Sequence, residues 1–334
     1  TGISSTGNPA TGHTLPAKSH KERLSRPFNR GLKVFDQHIH TMRMIFFSFL
    51  LGITTFSSSA QDYLRYYELC NSASYEHNFK HAPRRSLQLL NEAHLLAPLD
   101  FEHLELAAFC SLETGDTLKA IDYIRQSVLC GNSDMERIRN FYKGLVSTPY
   151  FRQIEQNHLS WQQEYYCNKN VPVVVELAKM VANDQLIRYN HAALKEKEGA
   201  RLFDKIDSGN IYRVRELYLS YGYLDYPGMF LIYWHDLMNF PEMWKFFEPI
   251  MYKAIFTGQF NPGGYAQLVD RIRIYAHNQN SWYGEFTEEG PQLKMGRIDD
   301  IDHVDERRKA IGLCTLKEKA EMVKWQLPAN YKPH

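Results

Sequence analysis

Two stretches of the chain repeat at an interval of 34 residues: residues 86–98 read SLQLLNEAHLLAP, and residues 120–132 read AIDYIRQSVLCGN. Small Ser86 in the first copy corresponds to small Ala120 in the second. A period of this length is typical of helical repeats, in which each helix pair can bury its apolar face only against the next pair. The pattern therefore predicts stacked helices in the first part of the chain.

The second copy has small and large residues at the positions that a tetratricopeptide (TPR) helix pair uses, and these are Leu104, Ala107, Ala108, Gly115, Ala120 and Ile124. Residues 62–167 therefore resemble TPR helical repeats, with copies at 67–100 and 101–134. A third helix pair is expected after these, divided at Pro149. The resemblance implies a concave surface for a protein or peptide partner. The alternative is a helical spacer that supports the second half of the chain.

The composition favours a mainly α fold. Of the 334 residues 44% are apolar, which is enough for packed cores, and no strictly alternating strand runs stand out. Two short stretches within 282–297 predict an irregular β hairpin. The expected architecture is a TPR-like repeat region at 61–168, followed by a helical domain at 169–334 with the hairpin near its C-terminus.

The beginning of the chain predicts an export signal. A basic start at Met42 is followed by the apolar run 45–56 and by small residues up to Ala60. This order is typical of a secretory signal peptide at 42–60, and the apolar run is too short to span a membrane. We therefore expect residues 1–41 to be an upstream, disordered segment.

The expected mature chain is periplasmic or secreted and has no transmembrane segment. No cysteine follows the apolar run until Cys70, so we expect no lipoprotein anchor. A buried core helix at 45–56 is the alternative to export. The formal net charge of +1 gives no electrostatic footprint for a nucleic-acid partner.

The cysteines are predicted to be buried apolar thiols, with a disulfide framework as the alternative. They number five, so at least one stays unpaired within the chain. Their spacing contains no C-x-x-C pair and no pattern of a zinc site. The positions are Cys70, Cys110, Cys130, Cys167 and Cys314.

A polar break at 168–170 marks the expected domain boundary. In the helix that follows, Asp184 and Arg188 are four residues apart, so they share a face and can pair. Further along, the stretch 207–210 reads DSGN and predicts a turn with a helix cap.

His235 lies in the most apolar segment of the mature chain, 229–237. A lone histidine on an apolar helix is usually a core residue. The functional alternative is a general acid or base that Asp184 or Asp270 orients. The neighbouring Asp236 completes a His-Asp pair, but no companion spacing indicates metal ligands, so neither a metal site nor a cofactor is predicted.

The densest cluster of opposed charges lies at 305–308, which read DERR. Downstream, Thr315 and Glu318 predict a capping box for the last helix. Arg307 and Arg308 have no such local role, and this makes them candidates for ligand contacts.

Short motifs in the second half follow one another in a fixed order: Asp184-Gln185-x-x-Arg188, Tyr221-Gly222-Tyr223, His235, Asp270-Arg271, Tyr283-Gly284, the run 305–308 and Gly312-Leu313. By this order, residues 175–325 resemble an uncharacterised bacterial family called domain of unknown function 6624. The chain departs from the family pattern at Tyr223, where a Gly-Trp-Pro turn is usual, and at Glu285, where a small polar residue is common. The resemblance implies a fold unit and candidate positions, without a mechanism.

Two functions follow from these patterns. The expected one is a protein-binding or scaffold role without enzymatic activity. The alternative is an enzyme or small-ligand receptor with an anion-binding pocket, because guanidinium groups bind carboxylate or phosphate bidentately. Its catalytic residues would be His235, Asp184 and Asp270, and its ligand-binding residues Arg188, Arg271, Tyr283, Arg307 and Arg308. Instead, an ion-pair network that holds four helices together could be formed by Asp184, Asp270, Glu306 and the arginines.

Overall fold

The computed structural model describes residues 60–131, 134–189, 196–224, 226, 228–288 and 294–333. The predicted segment 1–41 and the predicted signal peptide up to residue 59 lie outside these described residues. The described residues all belong to one compact unit. None of their helices combines the length and the hydropathy that a membrane span requires.

The fold is mainly α-helical, which confirms the predicted class. The first helix, α1, covers residues 60–78. The helices that follow are α2 (Pro83–His94), α3 (Phe101–Glu113), α4 (Thr117–Leu129), α5 (Met135–Phe141), α6 (Pro149–Cys167), α7 (Val171–Tyr189), α8 (Glu196–Tyr221), α9 (Met229–Asp236), α10 (Pro241–Ile255), α11 (Pro262–Arg271), α12 (Val304–Ala310) and α13 (Leu316–Val323). A π-helical turn at Ile272–Ala276 continues α11, and single 3₁₀ turns lie at Lys143–Leu145 and Ile301–His303.

The helix starts in the first half keep the interval seen in the sequence. Helices α2 and α4 begin 34 residues apart, and so do α3 and α5. Asp100 and Asp134 cap α3 and α5 by accepting backbone N–H groups of the first turn. Helix α2 packs on α3, α3 on α4 and α4 on α6, and the small residues Ala107, Ala108 and Ala120 are fully buried. This spacing supports the TPR resemblance, which stays a prediction.

Several predicted helix ends are confirmed. Helix α6 begins at Pro149, where the preceding Thr148 caps its first turn. Gly222 ends α8 with a φ of 78°, a left-handed conformation that glycine adopts without steric cost. Thr315 and Glu318 form the predicted capping box at the start of α13.

Helix α1 connects the two halves of the chain. The Tyr67 hydroxyl donates to the carbonyl of Ile255 at 3.3 Å, Asn71 Nδ2 donates to the carbonyl of Gly312 at 2.7 Å, and the Tyr75 hydroxyl donates to Glu321 at 2.6 Å. One cluster of buried apolar residues extends from the first helices to α11. The predicted boundary at 168–170 falls between α6 and α7, within this unit.

The turn predicted at 207–210 is wrong, because α8 runs through it as a single helix of 26 residues. Asp207 is buried and its two carboxylate oxygens accept from Arg188 of α7. Helix α8 also packs against α7 and α9. These tertiary contacts outweigh the local preference of an Asp-Ser-Gly-Asn stretch for a turn.

Two very short strands lie near the C-terminus. Strand β1 (Thr287–Glu288) pairs with β2 (Lys294–Met295) in an antiparallel register. Residues 289–293 between them lie outside the described part of the chain, so the hairpin connection stays a prediction. Just before β1, Gly284 has a φ of 73°, and a Cβ atom there would come within 2.6 Å of Leu316 Cδ1. Glycine therefore lets this loop pass close to α13.

The cysteines, all of them in the described part of the chain, form no disulfide with one another, but not all are buried. Cys70 and Cys110 are buried, as predicted, and Cys314 is partly buried. The prediction is wrong for Cys130 and Cys167, which are exposed. Both lie at or next to a helix C-terminus, where the chain turns at the surface.

Candidate functional site

His235, near the C-terminal end of α9, contacts the carboxylate of Asp184 on α7. Its Nδ1 atom lies 2.8 Å from Asp184 Oδ2, and Gln185 Nε2 donates to the same oxygen at 2.7 Å. Because an ionised carboxylate only accepts hydrogen bonds, Nδ1 is the donor in this contact. The other ring nitrogen, Nε2, has no hydrogen bond to any described residue, and the side chain is 17% exposed. The structure thus joins two of the predicted catalytic residues.

Arg188 connects the same carboxylate to a second one. Its Nη1 donates to Asp184 Oδ1 at 2.6 Å, and its Nη2 donates to the two oxygens of Asp207 at 2.9 and 3.0 Å. The predicted Asp184–Arg188 pair therefore forms, but with a fully buried carboxylate and a third member that was not predicted. Arg188 positions two acidic groups from different helices.

Asp236 adds a third buried carboxylate to this group. It is fully buried, and neither of its oxygens has a hydrogen-bond partner among the described residues. Asp184, Asp207 and Asp236 each offer one oxygen, and these oxygens lie within 4.8 Å of one another. Burial, and next the charges of Asp207 and Asp184, raise the pKa of Asp236 to about 9. Burial likewise raises the pKa of Asp207.

A change of Asp236 to asparagine is expected to stabilise the metal-free protein in a pH-dependent way. The raised pKa keeps Asp236 protonated in the folded chain, whereas the unfolded chain releases this proton near pH 4. Stability is therefore lost as the pH rises from about 4 towards about 9, and an asparagine side chain, which does not ionise, avoids this loss. We expect Asp236→Asn to gain at least about 2 kcal/mol at pH 8 and little at pH 4.

Urea unfolding in the presence of a chelator, at a series of pH values, measures this difference. Asp204→Asn is the matched control, since Asp204 is exposed on the same helix as Asp207. A gain for Asp236→Asn that is equal at pH 4 and pH 8 would contradict the prediction. The ionisable groups around Asp236, which both variants leave unchanged, are Asp184, Asp207, Arg188 and His235.

Arg271 lies on α11 beside this group and has no acidic partner among the described residues. Its guanidinium carbon lies 4.4 Å from the ring centroid of Trp234 and 5.5 Å from that of Tyr275. Its Nε is buried without a hydrogen-bond partner in the described part of the chain. Burial lowers the pKa of Arg271, and the positive charge of Arg188 lowers it further. Arg271 is thus a half-buried cation held on aromatic rings, without a counter-ion from any described residue.

Asp270 faces a different part of the molecule from its neighbour Arg271. Its carboxylate accepts from the backbone N–H groups of Trp282, Tyr283 and Glu285 at 2.6, 2.9 and 2.8 Å. The hydroxyl of Ser281 also donates to it, at 2.6 Å. The carboxylate therefore organises the loop 281–285, and it makes no hydrogen bond with His235.

The arginines of α12 hold the same loop. Arg308 is fully buried. Its Nη1 donates to the carbonyl of Tyr283 at 2.6 Å and to Glu285 at 2.9 Å. Arg307 stacks on Trp282, 4.0 Å from the ring centroid, and its Nε donates to the Trp282 carbonyl. The ionic partners of Arg308 and Arg307 are Glu285 and Asp300, and neither of these acids belongs to the predicted ion-pair network.

Tyr283 lines a separate cavity of about 310 Å³. The walls of this cavity also include Trp244, Glu248, Tyr265 and Arg273. The predicted candidates thus fall into two groups, one around His235 and one around the loop 281–285. The described contacts do not join Arg307 or Arg308 to His235.

Two residues of the first group are not predicted as site residues by the sequence patterns. The patterns place Asp207 in a turn and give Asp236 no role except as the neighbour of His235. The available signal was an acidic residue inside the most apolar segment, since a buried acid needs a partner or a proton. The missing information was that helices α7, α8 and α9 meet.

Comparison with known proteins identifies no relative: no family model, no curated protein and no solved structure matches this chain. Any assignment of function to this site therefore rests on its geometry.

Proposed function

We propose that the second half of the chain binds a small oxyanionic ligand next to His235, and that His235 exchanges a proton with this ligand. The observation that carries the proposal is the position of Arg271. Its guanidinium group is half-buried, has no acidic partner among the described residues, and rests on Trp234, the residue that precedes His235. A ligand carboxylate or phosphate would supply the missing counter-ion.

The energetic argument concerns the cost of an uncompensated cation. A guanidinium group taken out of water loses hydration, and ring contacts replace only part of it. An oxyanion can accept two parallel N–H bonds from the guanidinium group, and such charge-assisted bonds are among the strongest in proteins. Arg188 cannot take this role, because it already binds Asp184 and Asp207.

His235 has the arrangement of a proton donor or acceptor. Asp184 fixes the ring through Nδ1 at 2.8 Å, which leaves Nε2 to contact a ligand. A buried carboxylate behind an imidazole holds the ring orientation and the tautomer. The proposal thus gives His235 the proton transfer, Asp184 the positioning of its ring, and Arg271 the binding of the anion.

Titration with inorganic phosphate and, separately, with acetate tests this site. We expect Arg271→Gln to weaken binding of the preferred anion about tenfold or more, which is the loss of a charge-assisted hydrogen bond. Arg215→Gln is the matched control, because Arg215 on α8 is also half-buried and stacks on an aromatic ring, that of Phe246 on α10. Equal anion affinity in both variants, or no binding to the unchanged protein at millimolar concentrations, would reject the proposal.

The scaffold role expected for the first half is a second proposal. The consecutive packing of α2, α3, α4 and α6 supports it, because stacked helices offer a continuous surface. Pull-down of a partner by the full chain should be lost when the surface residues of these helices are replaced. Export to the periplasm or outside the cell is proposed on the segment 42–60 alone.

A further inference from the structure

We propose that Asp184, Asp207 and Asp236 form a binding site for one divalent cation of the hard, oxygen-preferring class, such as Mg²⁺, Mn²⁺ or Ca²⁺. The three carboxylates come from helices α7, α8 and α9. Their nearest oxygens lie within 4.8 Å of one another. Two oxygens bound to the same Mg²⁺ or Ca²⁺ ion on opposite sides are roughly 4 to 5 Å apart, so the observed spacing fits one shared ion.

The independent observation is the state of Asp236. Its side chain is fully buried, one of its oxygens points towards the other two carboxylates, and both oxygens lack a hydrogen-bond partner among the described residues. Buried polar groups in folded proteins are almost always paired. A carboxyl group with this burial needs a partner between the three acids, and a bound cation or a proton shared with Asp207 would each supply one.

The remaining acceptor positions show where a cation would bind. Each carboxylate oxygen can accept about two contacts. Asp184 Oδ2 already accepts from both His235 and Gln185, while Asp184 Oδ1 accepts from the Arg188 side chain alone. Each Asp207 oxygen accepts one bond from Arg188. Positions thus remain on Asp184 Oδ1, on both oxygens of Asp207 and on all of Asp236.

The charge of the group agrees with a single dication. A bound cation would keep all three carboxylates ionised, and these face one guanidinium group, that of Arg188, so the four side chains together would carry an excess of two negative charges. Such an excess is costly in a buried site. A divalent cation neutralises it, and carboxylate ligands select a hard ion over a thiolate-preferring one. A proton held between Asp236 and Asp207 is the competing occupant.

This inference does not rest on the oxyanion proposal, because it concerns the acids and not Arg271. The two would share one site if the cation and Arg271 contact the same ligand, but each can fail alone. Phosphate binding without a cation would leave the oxyanion proposal intact, and cation binding without phosphate would leave this one intact.

The experiment is titration of the metal-free full chain with Mn²⁺, monitored by electron paramagnetic resonance of the free ion, with Mg²⁺, Ca²⁺ and Zn²⁺ as competitors. We expect one ion per chain, displaced by Mg²⁺ or Ca²⁺. Asp236→Asn should weaken Mn²⁺ binding at least about tenfold. Loss of a group that only hydrogen-bonds a metal ligand already lowers metal affinity by about this factor, and Asp236 would be a direct ligand. Asp204→Asn should bind Mn²⁺ as the unchanged protein does.

A second measurement separates lost binding from lost folding. Mn²⁺ should raise the unfolding temperature of the unchanged protein in proportion to the logarithm of its concentration. The same rise for Asp236→Asn, whose folding is checked by circular dichroism, should need at least about tenfold more Mn²⁺. Absence of Mn²⁺ binding at millimolar concentration would overturn the proposal and assign the site to a proton only. Equal Mn²⁺ affinity in folded Asp236→Asn would overturn it as well.

Discussion

Asp270→Ala is expected to destabilise the protein by about 3 to 5 kcal/mol, because three backbone N–H groups and one hydroxyl lose their shared acceptor. The groups belong to Trp282, Tyr283, Glu285 and Ser281. Asp270 is fully buried, so water cannot replace the carboxylate without opening the loop. Burial raises the pKa of Asp270, and part of the loss is offset because a buried charge is removed.

Urea unfolding at pH 7 measures this change from the transition midpoint at a constant slope. Asp270→Asn keeps one acceptor oxygen and should fall between the alanine variant and the unchanged protein. Asp204→Ala, at an exposed position on α8, should stay within about 0.5 kcal/mol. A loss below about 1 kcal/mol for Asp270→Ala would show that the loop is held by other contacts.

Arg308→Met is expected to cost about 3 to 5 kcal/mol, because breaking a buried ion pair leaves an uncompensated charge. Both side chains of the Arg308–Glu285 pair are about 1% exposed. Burial alone would raise the pKa of Glu285, but Arg308 and Lys319 together hold it below its ordinary value. Without Arg308, only Lys319 Nζ, 3.0 Å from Oε2, remains as an ionic partner among the described residues.

The double variant Arg308→Met with Glu285→Gln separates charge from packing. It removes the uncompensated carboxylate and should recover a measurable part of the lost stability. Arg139→Met is the control, since Arg139 and Glu155 form a pair at the surface and such pairs contribute about 0 to 1 kcal/mol. If the double variant is no more stable than Arg308→Met, the loss comes from the hydrogen bonds to the Tyr283 and Cys314 carbonyls instead.

The two large losses of stability, those of Asp270→Ala and Arg308→Met, both come from contacts with the loop 281–285. Neither substitution changes the group around His235. Asp270 and Arg308 have backbone and side-chain hydrogen-bond partners. In this loop Glu285 Oε2 is buried without a hydrogen bond from any described residue, but Lys319 Nζ lies 3.0 Å from it as an ionic partner. The group around His235 is different, since Asp236 and Arg271 retain atoms that no described residue pairs with. A buried polar atom without a partner needs an explanation such as a bound ligand or ion, whereas a paired network is explained by the stability of the fold.

The helices were predictable because their signals are local. The 34-residue interval, the break at Pro149 and the capping box at Thr315 each depend on residues close in sequence. The Asp184–Arg188 pair was predictable for the same reason, as four residues make about one turn of a helix. The failed turn at 207–210 shows the limit, since Arg188 on the neighbouring helix binds Asp207 while α8 continues through the stretch.

The sequence by itself determined the mainly helical class, most helix ends and the neighbours within one turn, because these follow from hydrogen bonds and apolar periodicity over a few residues. Only the tertiary structure decided which distant side chains meet. His235 and Asp184 are 51 positions apart along the chain, and Asp207 and Asp236 join them only because α7, α8 and α9 pack together. Packing also decided what the adjacent residues Asp270 and Arg271 contact. Asp270 binds the loop 281–285, whereas Arg271 stacks on Trp234 of α9.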